Sequence, residues 1–374
     1  MSHSPYQEFL LQADTAINNA QGVEPATADV PPLPYPTPVR LAQGLRRSIE
    51  NLDAELSRFE RLFSSDHCLV QWAKDFSEVH SLLKGFFKEQ PVKQVSLCDN
   101  LHSPLFDELG ISHLLEDNKI QNIIDAPVQL FEADLMVAES GQLLFSNKSF
   151  DYVEQLHNSK PNIIITTLER VVNSMSHSEV YSQLKPSSAA NHTFTLFGGS
   201  NHCKTILLIV DNQRTALLSH RQQRWALTCV RCGRCEAVCP IDQMIGTAPY
   251  DNVFTGPVGR VVLPHLETPA TYGHVVWNCT LCGRCETVCP LQLPLRDMIV
   301  ANRRELLQQE EMEPLQFDAF TKMRRYLTDR SRLNRSAWKK QNTLSKVLSN
   351  SLKEIILLPK FSDRTFHQTV SRKK

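Results

Sequence analysis

Two runs of cysteines carry the clearest chemistry in this sequence. Each run reads Cys-x-x-Cys-x-x-Cys-x-x-x-Cys-Pro, the first beginning at Cys229 and the second at Cys279. Three thiolates at three-residue steps wrap one loop around an iron–sulfur cube, and in two-cluster ferredoxins the fourth cysteine of each run ligates the other cluster. The spacing therefore predicts two 4Fe–4S clusters as cofactors. Their predicted ligands are Cys229, Cys232, Cys235 and Cys289 for cluster 1, and Cys279, Cys282, Cys285 and Cys239 for cluster 2.

Zinc is the alternative occupant of clustered cysteines. Structural zinc sites use two Cys-x-x-Cys pairs with a longer spacer between them, and they do not need four cysteines at steps of three, three and four residues, twice over. Gly233 and Gly283 suit loops that lie close to inorganic sulfide. Pro240 and Pro290 restrict the backbone after each fourth ligand. The pattern favours iron–sulfur clusters over zinc.

Paired clusters of this kind relay single electrons between redox centres. The sequence has no Gly-x-Gly-x-x-Gly fingerprint that opens a helix after a strand, so a dinucleotide site is unsupported. It also shows no nucleophile or acid–base constellation, and no catalytic residue is assigned. We therefore expect an electron-transfer subunit of an oxidoreductase complex. Two alternatives remain open: an enzyme whose sheet domain uses the clusters as a relay, and a redox-sensing or assembly protein with structural clusters.

Composition limits the partners. Lys plus Arg and Asp plus Glu both number 40, so net charge gives no support for nucleic-acid binding. The aliphatic runs are too short for a transmembrane segment, and residues 1–20 lack the pattern of a secretory signal. We expect a cytoplasmic protein, in which cysteines bind metal more often than they form disulfides. Between Lys322 and Lys374 there are 15 Lys or Arg against 3 Asp or Glu, which predicts a solvated helical face or a docking surface for an acidic partner.

Apolar periodicity predicts the elements that position these cysteines. An apolar stripe from Leu41 to Phe63 predicts a helix, and a second helix is predicted at Ser77–Lys88. Short apolar runs separated by helical pieces then predict an α/β layer with a largely parallel sheet. The predicted strands are Val92–Leu97, Leu135–Ala138, Gln142–Phe145, Asn162–Thr166, Phe194–Phe197 and Thr205–Asp211, and the predicted helical pieces are Leu168–Met175 and Ser178–Leu184.

The cysteine runs lie in a different kind of segment. The spacer between Cys239 and Cys279 is 39 residues long, and Arg221–Thr228 and Leu295–Gln308 on either side have helical patterns. These features favour a helical ferredoxin over the small β-rich type. The predicted domains are a proline-rich segment (1–40), N-terminal helices that pack on the sheet domain (41–90), an α/β domain (91–218), a helical ferredoxin (219–310) and a basic helical region (311–374).

Three smaller features have ordinary interpretations. The Gly-rich stretch from Phe197 to Cys203 is a plain turn or a backbone cradle for phosphate or carboxylate. A hairpin turn explains Glu139-Ser-Gly141. The isolated cysteines are interpreted as small buried hydrophobes; they are Cys68, Cys98 and Cys203.

The chain resembles the bacterial lactate utilisation protein B family, in which a lactate-utilisation (LUD) domain is joined to a helical two-cluster ferredoxin. The matching segments are Ile206–Arg214 with its Asp-Asn-x-Arg step, Cys229–Pro240, Thr255–Pro264 with its Gly-Pro-x-Gly step, and Cys279–Asp297. The resemblance implies a three-layer LUD-type α/β domain. It also implies a role in oxidation of L-lactate to pyruvate by a cytosolic complex with companion subunits. The electron-transfer subunit of another dehydrogenase or reductase complex remains the alternative. Two segments of the sheet domain depart from the family pattern; they are Gly198–Thr205 and Gln94–Asn100.

Overall fold

The computed structural model describes most of the chain between residues 37 and 308. The described residues are 37–89, 92–97, 104–122, 126–147, 156, 161–184, 193–198, 204–246, 250, 252 and 254–308. The chain divides into two compact units, Met1–Arg303 and Arg304–Lys374, and every contact reported below lies within the first. The proline-rich segment before residue 37, Cys98, Cys203 with most of the Gly-rich turn, and the basic region from Lys322 lie outside the described residues, so the expectations about them stay predictions.

A six-stranded sheet forms the centre of the first unit. Its strands are β1 (Cys68–Ala73), β2 (Gln94–Leu97), β3 (Gln121–Asn122), β4 (Val128–Glu132), β7 (Asn162–Thr167) and β10 (Thr205–Val210). They are ordered β1-β10-β7-β4-β2-β3, and each neighbouring pair is parallel. The predicted parallel α/β layer is confirmed.

A second, smaller sheet contains both parallel and antiparallel strand pairs. Its strands are β5 (Leu135–Val137), β6 (Gln142–Asn147), β8 (Val171–Val172) and β9 (Thr193–Phe197), in the order β8-β5-β6-β9. The predicted hairpin turn joins β5 to β6, with Gly141 at a φ of 66°. The helix predicted at Leu168–Met175 is wrong, because buried, β-branched Val171 and Val172 form β8 alongside β5.

The helices of the sheet domain surround these strands. They are α1 (Thr37–Glu50), α2 (Leu52–Phe63), α3 (Phe76–Glu89), α4 (Pro104–Glu108), α5 (Ile111–Asp117), α6 (Met175–Leu184) and α7 (Arg214–Leu218). The single helix predicted from the first apolar stripe is two helices, because Asn51 leaves helical geometry at φ −121° and ψ 34°.

Side-chain alternation along the central strands builds two hydrophobic cores. In β7, Ile164 packs with Phe59 and Phe63 of α2 on one face of the sheet. Its neighbours Ile163 and Ile165 belong to the core on the other face, which includes side chains from α3 and α5. Because successive strand residues point to opposite faces, one fully apolar strand supplies both cores. The result is a three-layer α/β arrangement.

The cysteine runs lie in a helical module. The described residues from 219 to 308 form helices and loops, which confirms the expected helical ferredoxin. Its elements are 3₁₀ helices at Gln223–Thr228 and Gly273–Asn278, and α8 (Arg234–Ala237), α9 (Pro240–Ile245), α10 (Gly256–Leu266), α11 (Pro269–Tyr272), α12 (Arg284–Val288) and α13 (Leu295–Gln308). Within the described part of the chain, no helix has the length and apolar character needed to cross a bilayer.

Helix α10 shows why the Gly-Pro-x-Gly step has this composition. Gly256 has a φ of 62°, and a Cβ there would come within 2.3 Å of Glu236 Cγ. A Cβ on Gly259 would come within 2.3 Å of the carbonyl oxygen of Phe254. Pro257 is in the first turn, where its fixed φ suits a helix start and its missing N–H has no helical partner to lose. The step therefore lets α10 begin in close contact with the first cysteine run.

Candidate iron–sulfur site

The two cysteine loops repeat the same backbone geometry. Arg231 and Leu281 occupy matching positions with φ values of 50° and 56°. Gly233 and Gly283 follow at 72° and 76°, and each caps the short helix that carries the third cysteine. No protein atom lies within 4 Å of a Cβ built on Gly233. Left-handed backbone, rather than crowding by protein, is therefore what requires glycine at this position.

The eight cysteines line two cavities. One cavity, of about 210 Å³, is lined by the first three cysteines of the first run together with Cys289. The other cavity is smaller, at about 20 Å³, and is lined by the first three cysteines of the second run together with Cys239. Contact between α8 and α12 places the two runs side by side, so each fourth cysteine reaches the opposite loop. These groups match the two ligand sets that the spacing predicts.

The thiols of the two cavities are buried and interact with one another. The pKa of Cys229 is raised to about 12, chiefly by burial and also by nearby Cys232 and Cys289, against the lowering effect of a hydrogen bond from the backbone of Arg231. Burial likewise raises the pKa of Cys285 to about 12, with Cys279 among the groups that add to the effect. Because iron binds thiolates, its binding at these sites must displace protons.

The chemistry of the donor set fits a 4Fe–4S cluster at each cavity. Four thiols surround each site, which is the ligand set such a cluster takes. Backbone N–H groups also point at the sulfurs: the N–H of Arg231 donates to Cys229 Sγ at 3.4 Å, and that of Leu281 donates to Cys279 Sγ at 3.3 Å. All eight cysteines are described, and Cys282 alone among them is exposed.

A buried ion pair lies beside the second cavity. Arg260, which is fully buried in α10, donates to both carboxylate oxygens of Asp242 at 2.7 and 3.3 Å. The hydroxyl of Tyr250 donates to the same carboxylate at 3.0 Å. The guanidinium also donates to Cys239 Sγ at 3.6 Å. This network is not predicted from the sequence, although an arginine inside the apolar Val258–Leu266 segment is itself a signal, since buried charges are found paired.

A buried amide fixes the helices behind the cysteine loops. Asn302, which is 1% exposed, donates to the carbonyls of Arg260 and Val261 at 3.2 and 2.9 Å. Its oxygen accepts from the amide of Gln223 at 3.1 Å and lies 2.9 Å from His265 Nε2. One side chain thus ties the first 3₁₀ helix, α10 and α13 together.

The carboxyl edge of the parallel sheet carries a second charged network. Arg214, in the Asp-Asn-x-Arg step after β10, forms a 2.9 Å ion pair with Glu169, which follows β7. Both side chains are buried, and Arg170 lies 3.8 Å from the same carboxylate. Burial acts to raise the pKa of Glu169, but attraction to these arginines and to Arg231 leaves it below its usual value. The motif is therefore explained by a buried ion pair that joins two strand ends.

Arg231 connects this edge to the first cavity. It lines the cavity between Cys229 and Cys232, and its buried guanidinium interacts with Arg170 and Glu169. Glu108, at the end of α4, also lies near Arg231. Burial raises the pKa of Glu108 to about 7, against attraction to Arg214 and Arg231. The first cavity and the sheet edge are therefore adjacent.

Comparison with known proteins agrees with the cysteine chemistry. Residues 225–293 match the family model described as a 4Fe-4S dicluster domain. This match supports an iron–sulfur electron-transfer role for the module.

Curated relatives carry the name expected from the resemblance. Lactate utilization protein B of an Exiguobacterium strain is 29% identical over 208 residues, a match that covers 52% of this chain and 44% of the relative. Lactate utilization protein B of Bacillus thuringiensis is 27% identical over 207 residues, covering 52% of this chain and 43% of the relative. The chain thus spans less than half the length of these relatives in the match. The resemblance to lactate utilization protein B is confirmed over this stretch.

A solved structure of a DUF162 family protein from Deinococcus radiodurans also aligns with the chain. The alignment covers 46% of this chain and 98% of that chain, at 10% identity and a TM-score of 0.24. The α/β assignment rests on the strand order of this chain, not on that likeness.

Proposed function

We propose that this chain is an electron-transfer protein that holds two 4Fe–4S clusters, one in each cysteine-lined cavity. The observation that carries the proposal is that each cavity gathers four cysteines, three from one run and one from the other. When bound, each cluster accepts and donates single electrons. The proposed ligands are Cys229, Cys232, Cys235 and Cys289 for cluster 1, and Cys279, Cys282, Cys285 and Cys239 for cluster 2.

The two sites differ in the residues that surround them. Apolar side chains line the first cavity and limit water there; they include Val258, Leu291, Leu293 and Leu295. At the second cavity Cys282 is exposed, which makes this edge the accessible side for a redox partner. We also propose that the sheet domain ends and the ferredoxin begins at the predicted boundary, between residues 218 and 219. Thiolate ligation needs reduced cysteines, which supports a cytoplasmic location.

Metal analysis tests the cofactor assignment. The anaerobically purified chain should contain about eight iron and about eight acid-labile sulfide, since four thiolates hold each of two cubes. Iron, sulfide and zinc would be measured on the same sample, with apoprotein treated with chelator as the blank. Two zinc ions without sulfide would contradict the assignment.

We further propose that the protein serves a complex that oxidises L-lactate to pyruvate with companion subunits. The support is the similarity to proteins named lactate utilization protein B. The electron-transfer subunit of another dehydrogenase or reductase complex remains the alternative. In this assignment the chain supplies the electron relay, and substrate chemistry belongs to a companion subunit.

Lactate dependence separates these possibilities. The isolated chain should leave its clusters oxidised when L-lactate is added anaerobically, because its sequence shows no acid–base constellation for lactate oxidation. The complex purified from native cells through this chain should reduce a dye in the presence of L-lactate, with D-lactate and glycerol as controls. A native complex that ignores L-lactate would remove the lactate assignment and leave the cluster assignment intact.

A sheet-domain enzyme is the second candidate function. The observation that favours it is the set of buried arginines at the carboxyl edge of the parallel sheet, next to the first cavity. Open α/β sheets bind ligands at that edge. Reduction of the clusters by L-lactate in the isolated chain would support this candidate over a pure relay.

A further inference from the structure

The two cluster sites have the same hydrogen-bond donors at their first cysteines. Cys229 and Cys279 each accept the backbone N–H of the residue two positions later, at 3.4 and 3.3 Å. Cys232 and Cys282 likewise each accept a backbone N–H from the residue two positions later, and Cys282 also accepts a hydrogen bond from the side chain of Thr280. The repeated loop geometry explains this match. The sites also differ in the donors to their fourth cysteines.

The fourth cysteines differ. Cys289 Sγ accepts backbone N–H groups from Leu291, Gln292 and Leu293, the last at 3.5 Å. The equivalent N–H after Cys239 belongs to Gln243, and it donates to the carbonyl of Cys239 at 2.9 Å because α9 begins there. Pro294 disfavours helical geometry at Leu293, which leaves that N–H available to sulfur. Cys239 Sγ accepts the backbone N–H of Asp242 and also the guanidinium of Arg260, the latter at 3.6 Å.

One of the donors at Cys239 is therefore a buried cation. The guanidinium of Arg260 is fully buried and is held in place by its two-pronged contact with Asp242. Hydrogen bonds from ionised donors are roughly twice as strong as neutral ones. A low surrounding dielectric strengthens them further. The carboxylate of Asp242 opposes the charge of Arg260, so the two residues should act on this site with opposite signs.

We propose that Arg260 raises the reduction potential of the cluster held by Cys239, Cys279, Cys282 and Cys285. The proposal rests on the proposed two-cluster function. Reduction makes a cluster one charge more negative, and donors to its sulfurs stabilise that state. Arg260 is thus a positioning and tuning residue that acts through Cys239.

Opposite substitutions in the ion pair test the proposal. Arg260→Gln should lower the midpoint potential of the second site, and Asp242→Asn should raise it. Each change should shift the one-electron equilibrium at least about tenfold, which corresponds to 59 mV. The potential of the first site should stay unchanged in both variants. Arg260→Lys, which keeps the charge and loses the two-pronged geometry, should restore part of the potential lost in Arg260→Gln.

The measurement is a dithionite titration of the full chain followed by electron paramagnetic resonance. The two midpoints would be assigned with Cys232→Ala and Cys282→Ala, which each remove a ligand from one site. Arg296→Gln is the matched control, because Arg296 lines the same cavity but is half-exposed and pairs with Glu286 at 3.7 Å. Arg296→Gln should change the one-electron equilibrium of the second site by well under tenfold, since solvent screens an exposed charge.

Iron content and the direction of the shifts decide the outcome. If Arg260→Gln keeps its full iron and the midpoint potential of the second site does not change, the proposal is overturned. Equal changes of the midpoint potential at both sites would also overturn it. So would changes of the same sign in Arg260→Gln and Asp242→Asn. If Arg260→Gln loses iron, Arg260→Lys is compared with the parent instead. Its second midpoint should lie below that of the parent, and a midpoint at or above the parent value at full iron would refute the proposal. Fewer than two clusters in the parent chain would instead refute the proposed function.

Discussion

Replacing Cys239 with alanine should remove the cluster built mainly by the second cysteine run, and with it about half of the iron. Cys239 belongs to the first run, but it lines the cavity that contains the first three cysteines of the second run. Cys289→Ala should have the reciprocal effect, because Cys289 lines the cavity of the first run. The effect is large because alanine offers no ligand atom to the iron that loses its thiolate.

The cluster that survives in each variant identifies the ligand set. The spectrum left in Cys239→Ala should match that left in Cys282→Ala, and the spectrum left in Cys289→Ala should match that in Cys232→Ala. Iron content, sulfide content and electron paramagnetic resonance of the reduced proteins give the comparison. A Cys239→Ala spectrum that matches Cys232→Ala would mean that each run holds its own cluster.

The grouping of the cysteines could be predicted because it depends on local spacing. A run with steps of three, three and four residues can place three sulfurs around one centre and send the fourth away, so the crossed sets follow once the two runs lie side by side. The same locality explains the successful prediction of Leu295–Gln308 as α13 and of the parallel sheet, whose central strands are continuous apolar runs.

Elements whose identity depends on distant partners were missed. Val171 and Val172 look like part of a helical piece in sequence, but pairing with β5 makes them a strand. Strand β4 was not predicted, because its five residues include Gln129 and Glu132 and so short a segment is ambiguous without its neighbours β2 and β7. Tertiary pairing decides such short segments.

Buried charges were also missed, since their partners are far away in sequence. Arg260 and Asp242 are 18 residues apart, and nothing in the local pattern shows that they meet. Arg214 was recognised as part of a distinctive step, but its partner Glu169 lies after a different strand. The sequence indicates that a charge in an apolar segment needs a partner. The fold is needed to say which partner it has.

The buried ion pair between Arg214 and Glu169 at the sheet edge should contribute strongly to the stability of the fold. Arg214→Leu should lower the free energy of unfolding by about 3–5 kcal/mol, because it leaves the carboxylate of Glu169 buried without its closest cation. The two side chains are 0% and 1% exposed, and the contact between them is 2.9 Å. Anaerobic equilibrium unfolding in urea, followed by tryptophan fluorescence, measures the change.

The double variant and pH separate the charge from the packing. Glu169→Leu/Arg214→Leu should recover much of the loss, since replacing both buried charges by apolar groups is often neutral or stabilising. The exposed control Arg296→Gln should cost only about 0–1 kcal/mol. The pKa of Glu169 is lower in the folded chain than its usual 4.5. Its contribution is therefore present at neutral pH and disappears as the pH falls through that lowered pKa.

A double variant no more stable than Arg214→Leu would show that the lost stability comes from the packing of the arginine stem. An Arg214→Leu variant as stable as the parent would mean that Arg170, 3.8 Å from the same carboxylate, is sufficient to compensate Glu169. Arg170→Leu in that background would then produce the loss. The order of these effects tells which arginine holds the charge of Glu169 at the edge of the sheet that faces the first cluster site.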